Sequence, residues 1–213
     1  MLFDSLTNEE IVDSESALEF MKEATKLASS ADLEDLSERV SLKAECFQGH
    51  LSPSFVDKLD QGNFDRIVSL IFSIGRKSKR LIDANGFENL RTMIRELLHG
   101  DNPVEDRFSL FVNQVEGIEE KMRINFAGEL LHYSMPDRYW LWTNWIWDPD
   151  NNTGALPLVV QEEVDLLGET EGETYLRVGE AMSYVNQVGN ERGYSRVGHG
   201  KFGIDVFLAC VYA

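Results

Sequence analysis

Through most of the chain, apolar residues recur every three or four positions, the spacing required of a helix that buries one face. The clearest run is Phe64, Ile67, Val68, Ile71 and Ile74, and Leu33, Leu36, Val40 and Ala44 repeat the pattern. So do Leu90, Met93, Ile94 and Leu97, then Tyr175, Val178, Ala181, Met182 and Val185. The period predicts a mainly helical protein, and capping residues mark where the helices begin and stop. Thr7-Asn8-Glu9-Glu10 fits a capping box opening a helix whose stripe is Ile11, Leu18, Met21 and Leu27, and Ser29-Ser30 separates it from the next. Gln48-Gly49-His50 is expected to interrupt, and Ser52-Pro53 to start a fresh helix. Asn63 is the expected cap of a long helix that ends at Asn85-Gly86, where both residues tolerate left-handed backbone. Gly100 stops the following helix, Asn102-Pro103 opens one through Phe108 and Phe111, and two more are expected over 118–133 and 136–147.

The last third changes character. The run from Ala155 to Val160 is short, apolar and flanked by Gly154 and acids, which suits an edge strand or extended arm. Glycines at 189, 193, 198, 200 and 203 predict a loop, and from Phe202 to Ala213 nearly every residue is apolar. Burying each large side chain of that tail is worth roughly 1.5–3 kcal/mol, so the tail belongs in the core or in a partner. The expected architecture is an acidic helical extension over 1–47, a helical bundle core over 48–147, and a small mixed α/β segment over 148–213 ending in the apolar tail.

Charge narrows the function. The 213 residues carry 37 acids and 20 bases, a net charge of −17. Residues 1–46 hold 12 acids and 4 bases, residues 47–147 hold 14 and 12, and residues 148–213 hold 11 and 4. Two acidic flanks repel polyanions, which disfavours nucleic-acid binding by the whole surface. One dense basic cluster remains, Arg76-Lys77-Ser78-Lys79-Arg80. It reads either as an anion patch or as a solvated helix face near a C-terminus, where cations suit the dipole. No apolar run reaches the roughly 18–20 residues a bilayer span needs, and Met1-Leu2-Phe3-Asp4 is acidic from the start, unlike a signal peptide. A cytoplasmic location is expected. Cys46 and Cys210 supply neither a disulfide framework nor metal-ligand spacing.

Val115-Glu116-Gly117-Ile118-Glu119-Glu120-Lys121 is followed by a helix rich in small and apolar residues, from Ile124 to His132. This stretch resembles the hairpin of the helix-hairpin-helix DNA glycosylases, the endonuclease III-like superfamily. Gly117, Ile118 and Lys121 carry the match, and the resemblance covers about 60–147. It implies a helical bundle whose hairpin backbone N–H groups, with Lys121, take a phosphate. The departures are specific. Glu116 and Glu119 stand where the family has Pro and the second Gly, and Trp142 stands where it has the catalytic Asp. Glycosylase chemistry is therefore not implied.

All four tryptophans, Trp140, Trp142, Trp145 and Trp147, fall within eight residues. On a helix, Trp140 and Trp147 share a face while Trp142 and Trp145 point elsewhere, so one side meets something other than the bundle interior. The histidines never pair at a metal spacing. Glu129 and His132 place an acid and a base on one helix face, but a di-iron site needs a second such pair, and there is none. No catalytic, cofactor or metal residue is assigned. The first functional expectation is a non-catalytic subunit or adaptor of a larger assembly, bound to other protein subunits through Trp140, Trp142, Trp145, Phe207 and Val211. The alternative is a nucleic-acid-associated protein, in repair or defence, using Arg76, Lys77, Lys79, Arg80, Gly117 and Lys121.

Overall fold

The structure is a computed structural model that describes residues 8–192 and 200–213. Thr7, Gly193, Gly198 and His199 lie outside the described residues, and with them the expected Thr7 cap. The helices are α1 Asn8–Ile11, α2 Ser14–Leu27, α3 Ser30–Leu51, α4 Gln61–Ser69, α5 Ser78–Asn85, α6 Phe87–His99, α7 Val104–Gln114, α8 Glu120–Ser134, α9 Glu171–Arg192 and α10 Gly203–Tyr212. Single 3-10 turns lie at Val56–Lys58, Leu156–Leu158 and Gly200–Phe202. The chain is mainly helical. It groups into two compact units, one holding the residues up to Ser41 with Trp140–Leu167 and Leu176–Ala213, the other Leu42–Tyr139 with Gly168–Tyr175.

In the first unit, Asp13 caps α2. Its carboxylate accepts from the Glu15 and Ser16 amides and, at 2.6 Å, from the Ser16 hydroxyl. The hydroxyl bond above all holds the Asp13 carboxyl below its ordinary pKa, because the ionised form accepts best. Ser29 and Asp32 cap the start of α3 reciprocally, each side chain bonded to the other's backbone N–H. The apolar C-terminus forms α10, which packs on α2. Val206 joins a cluster with Leu33, Met21, Leu36 and Cys210.

The mixed α/β C-terminal segment is not found. Among the described residues there are only isolated bridges, Val12 with Val160 and Asp148 with Thr153. The expected strand over 155–160 is instead a 3-10 turn. Pro157 has no N–H to give a ladder, and the amides of Leu158, Val159 and Val160 turn back on Ala155 and Leu156. Gly189, expected in a loop, lies buried in α9.

In the second unit, α6, α7 and α8 pack on one another and α4 and α5 continue the bundle. Phe111 and Phe126 meet edge to face at 5.4 Å, and Phe108 stacks on Tyr175 at 4.5 Å. Three expectations change here. Helix α3 runs through Gln48-Gly49-His50 to Leu51, since the exposed Gly49 costs too little to end a helix anchored by buried Phe47 and Leu51. Ser52-Pro53 opens a turn leading to the 3-10 residues Val56–Lys58 rather than an α-helix. The long helix from Asn63 is broken, because α4, capped by Asp60, stops at Ser69. Beyond it the amides of Ile71, Ile74 and Lys77 each bond three residues back, to Val68, Ile71 and Ile74. A three-residue repeat keeps Ile71 and Ile74 inward just as an α-helix would, so the apolar period alone does not tell the two apart.

Candidate functional site

Three groups of functional side chains emerge, and each lies within one compact unit. The first is the basic cluster of the second unit. With the long helix broken, Lys77 is the N-cap of α5, and Lys79 and Arg80 lie in its first turn. The sequence placed these cations near a helix C-terminus; they are at the N-terminus, where the dipole opposes them. The first turn has no acid, and Lys77 makes no capping hydrogen bond. Arg76, Lys79 and Arg80 are exposed and Lys77 is half-exposed. None of the four forms an ion pair with a described residue. Several cations elsewhere pair with carboxylates, as in Lys26–Glu23, Arg39–Asp35, Arg91–Glu88, Arg95–Glu96, Arg123–Glu120 and Arg177–Asp165, while the other cations without such a pair, Lys22, Lys58 and Arg66 among them, stand singly in the sequence. Just ahead of the cluster Phe72 is fully exposed, at 101%.

The hairpin residues adjoin this cluster. Gly117 has φ +86°, and a β-carbon there would come within 3.0 Å of the Arg80 carbonyl oxygen and 2.9 Å of Ala84. Glycine is needed because the turn lies directly on α5. Asn85 fastens it, accepting from the Glu116 amide at 2.9 Å and donating to the Glu116 carbonyl at 3.0 Å. Lys121 is half-buried in the first turn of α8, while Glu116, Glu119 and Glu120 are exposed around the turn. The structure thus gathers Gly117 and Arg80 but surrounds the hairpin with carboxylates.

The second group is the aromatic segment of the first unit. The helix expected over 136–147 is absent: Pro136 ends helical propagation, with Met135 ahead of it at φ −142°. Residues 140–156 instead double back on themselves. The Ala155 and Leu156 amides bond to the carbonyls of Trp145 and Ile146, and Asp148 pairs with Thr153. Gly154 at φ +126° permits the return, since a β-carbon would lie 2.5 Å from the Ile146 oxygen. Trp142 is buried, donates its indole N–H to the Trp147 carbonyl at 3.1 Å, and stacks on Trp147 at 6.4 Å. Trp140 lies half-exposed against Gly179 of α9. Phe207 and Val211 are buried in α10. Of the five residues expected at an interface, Trp142, Phe207 and Val211 therefore face the interior. Trp145 is half-exposed, and its ring lies 6.1 Å from that of Tyr212, which is 58% exposed. Beside Trp147 a cavity of about 580 Å³ is lined by Asn152, Pro157, Gln161, Glu162, Glu163 and Leu166, among others.

The third group is buried and was not anticipated. Glu129, read from sequence only with His132, forms an ion pair with Lys43, 86 positions away in the chain. The Lys43 ammonium also sits 4.2 Å from the centre of the Tyr133 ring. Burial pushes the Glu129 carboxyl above its ordinary pKa, and Lys43 and then His132 pull against that rise. His132 Nδ1–H donates to the Tyr139 carbonyl at 2.8 Å, while Arg107 donates to the Tyr139 hydroxyl at 3.0 Å and to the carbonyls of Leu97 and Asn102. This network ties α3, α7 and α8 to the chain after α8. The detectable signal was a lone acid inside Phe126-Ala127-Gly128-Glu129-Leu130-Leu131, since a buried charge requires a partner. No family model, no curated protein and no solved structure matches the chain.

Proposed function

We propose that the chain is a non-catalytic subunit or adaptor of a larger protein assembly, docking through the aromatic pair Trp145–Tyr212. The observation that carries this reading is the pair itself. Two large rings lie 6.1 Å apart, one half-exposed and one mostly exposed, where the aromatic segment meets the end of the apolar helix α10. Aromatic rings left in water beside one another are the side chains that most often anchor protein interfaces, because each removes a large apolar area from water on contact. Trp142, Trp147, Phe207 and Val211 are buried, so they hold the pair in place rather than reaching outward. The partner surface that fits is an apolar cleft able to receive both rings.

The test is the native mass of the full chain isolated from its own cells after nuclease treatment. Stable co-purifying chains that are lost in Tyr212→Ser, with unchanged circular dichroism, support the reading. A lone monomer for the unaltered protein overturns it. Tyr212 suits this purpose because it is exposed at the last turn of α10 and its truncation leaves no cavity.

A further inference from the structure

We infer that Phe72 with Arg76, Lys77, Lys79 and Arg80 forms a second docking site, whose occupant is an acidic protein segment carrying apolar side chains between its carboxylates. The surface lies in the other compact unit from Trp145 and Tyr212, and the inference stands independently of that pair.

Three observations carry it. In a chain with 37 acids, four cations within five residues pair with no described carboxylate, although cations elsewhere do so repeatedly. Three of these cations occupy the cap and first turn of α5, where the helix dipole disfavours them and where an incoming anion is favoured by both the cations and the free amides. Ahead of them Phe72 stands wholly in water. Its neighbours Ile71 and Ile74 are fully buried, and they fix the intervening turn so that the ring faces outward. A ring held out in this way, four residues ahead of the first unpaired cation, is complementary to a surface that is both apolar and acidic.

Charge also selects the kind of anion. Setting the four cations aside, 16 bases remain against 37 acids, so a long polyanion gains at this patch and is repelled beyond it. The repulsion begins close by, because the hairpin against the far part of α5 exposes Glu116, Glu119 and Glu120. A short acidic segment confines its charges to the one turn that attracts them, whereas a nucleic-acid strand runs on into the carboxylates.

The experiment uses the full chain and fluorescein-labelled probes followed by anisotropy. The probes are a peptide of alternating Glu and Leu about a dozen residues long, the same peptide with Gln for Glu, the same with Ser for Leu, and an oligothymidylate of similar length. The Glu/Leu peptide is expected to bind at least about tenfold more tightly than each of the other three. The same loss is expected in Phe72→Ala and in the double variant Arg76→Glu/Lys79→Glu, with affinity falling as salt rises. Both substitutions are at exposed positions and Lys79→Glu puts an acid in the first turn where the α5 dipole favours it, so folding is retained, and Arg76→Gln/Lys79→Gln provides a second version without charge reversal. Equal binding of the peptide by the variants overturns the inference, as does no binding at millimolar peptide. Tighter binding of the oligothymidylate, lost in the same variants, overturns it in favour of a nucleic-acid site.

Discussion

Replacing Lys43 by Met tests the buried network through a cost that must depend on pH. Methionine keeps an unbranched apolar side chain and removes the ammonium that lies over the Tyr133 and Phe47 rings. The side chains of Lys43 and Glu129 are 19% and 9% exposed, so the carboxylate left behind has little water to turn to. It escapes by taking a proton. At pH 7, holding a proton on a group whose ordinary pKa is 4.5 spans 2.5 pH units, which at about 1.36 kcal/mol per unit sets a ceiling of about 3.4 kcal/mol. The lost contact between the ammonium and the Tyr133 ring adds roughly 0.5–2 kcal/mol at any pH. The sign follows from burial. The native carboxyl titrates above the unfolded one, so the native state holds the proton more firmly, and stability is full below the unfolded pKa and is lost as pH rises. Urea denaturation of Lys43→Met should therefore show a loss of about 3–4 kcal/mol at pH 7 that shrinks to about 1 kcal/mol near pH 4.5. Glu129→Gln in the same background should abolish the pH dependence. An equal loss at both pH values would refute a buried, compensated carboxylate and leave only altered packing.

Phe207→Ser should cost about 3–5 kcal/mol and unfold the first unit before any partner is released, because the ring is buried; circular dichroism and thermal melts decide this. Gly154→Ala should destabilise by more than about 2 kcal/mol, since φ +126° and a β-carbon 2.5 Å from the Ile146 oxygen are both forbidden to alanine; a melting curve reads it. Asp13→Ala should remove the α2 cap at a cost of about 1 kcal/mol near neutral pH. Because the Asp13 carboxyl titrates below its ordinary value, that difference should vanish as pH falls through its native pKa, which paired urea titrations will show.

Helix identity was legible where apolar period and cap agreed. Leu90, Met93, Ile94 and Leu97 with Gly100 mark α6, and the apolar tail from Phe202 marks a buried element that proves to be α10. It was not legible where two local geometries bury the same residues. Ile71 and Ile74 satisfy both an α-helix and a run of three-residue turns, so the break that creates the N-terminus of α5 left no trace in the period. The aromatic segment misled for a related reason, because Trp140 and Trp147 are spaced for a helix while Pro136 and Gly154 favour a doubled-back loop. The functional groups were harder still. Lys43 with Glu129, and Trp145 with Tyr212, are partners across long stretches of chain, and which distant residues meet is a property of packing rather than of local pattern.

The break before α5 also converts the basic cluster from a comfortable arrangement into a costly one. At a helix C-terminus such cations would be stabilised by the dipole; at the cap and first turn Lys77, Lys79 and Arg80 are each disfavoured by roughly 0.3–1 kcal/mol. Surface positions that oppose local preference without a compensating contact inside the chain are what a binding function leaves behind. Lys79→Glu separates the two explanations because it removes an unfavourable charge and adds a favourable one at an exposed site. Stability should rise by about 1 kcal/mol, a shift of about 0.5 M in the urea midpoint at an m-value near 2 kcal/mol per M. Binding of the acidic peptide should fall in the same protein. A variant that is less stable by more than about 0.5 kcal/mol would mean that Lys79 serves the fold, and the opposition between stability and docking at α5 would be refuted.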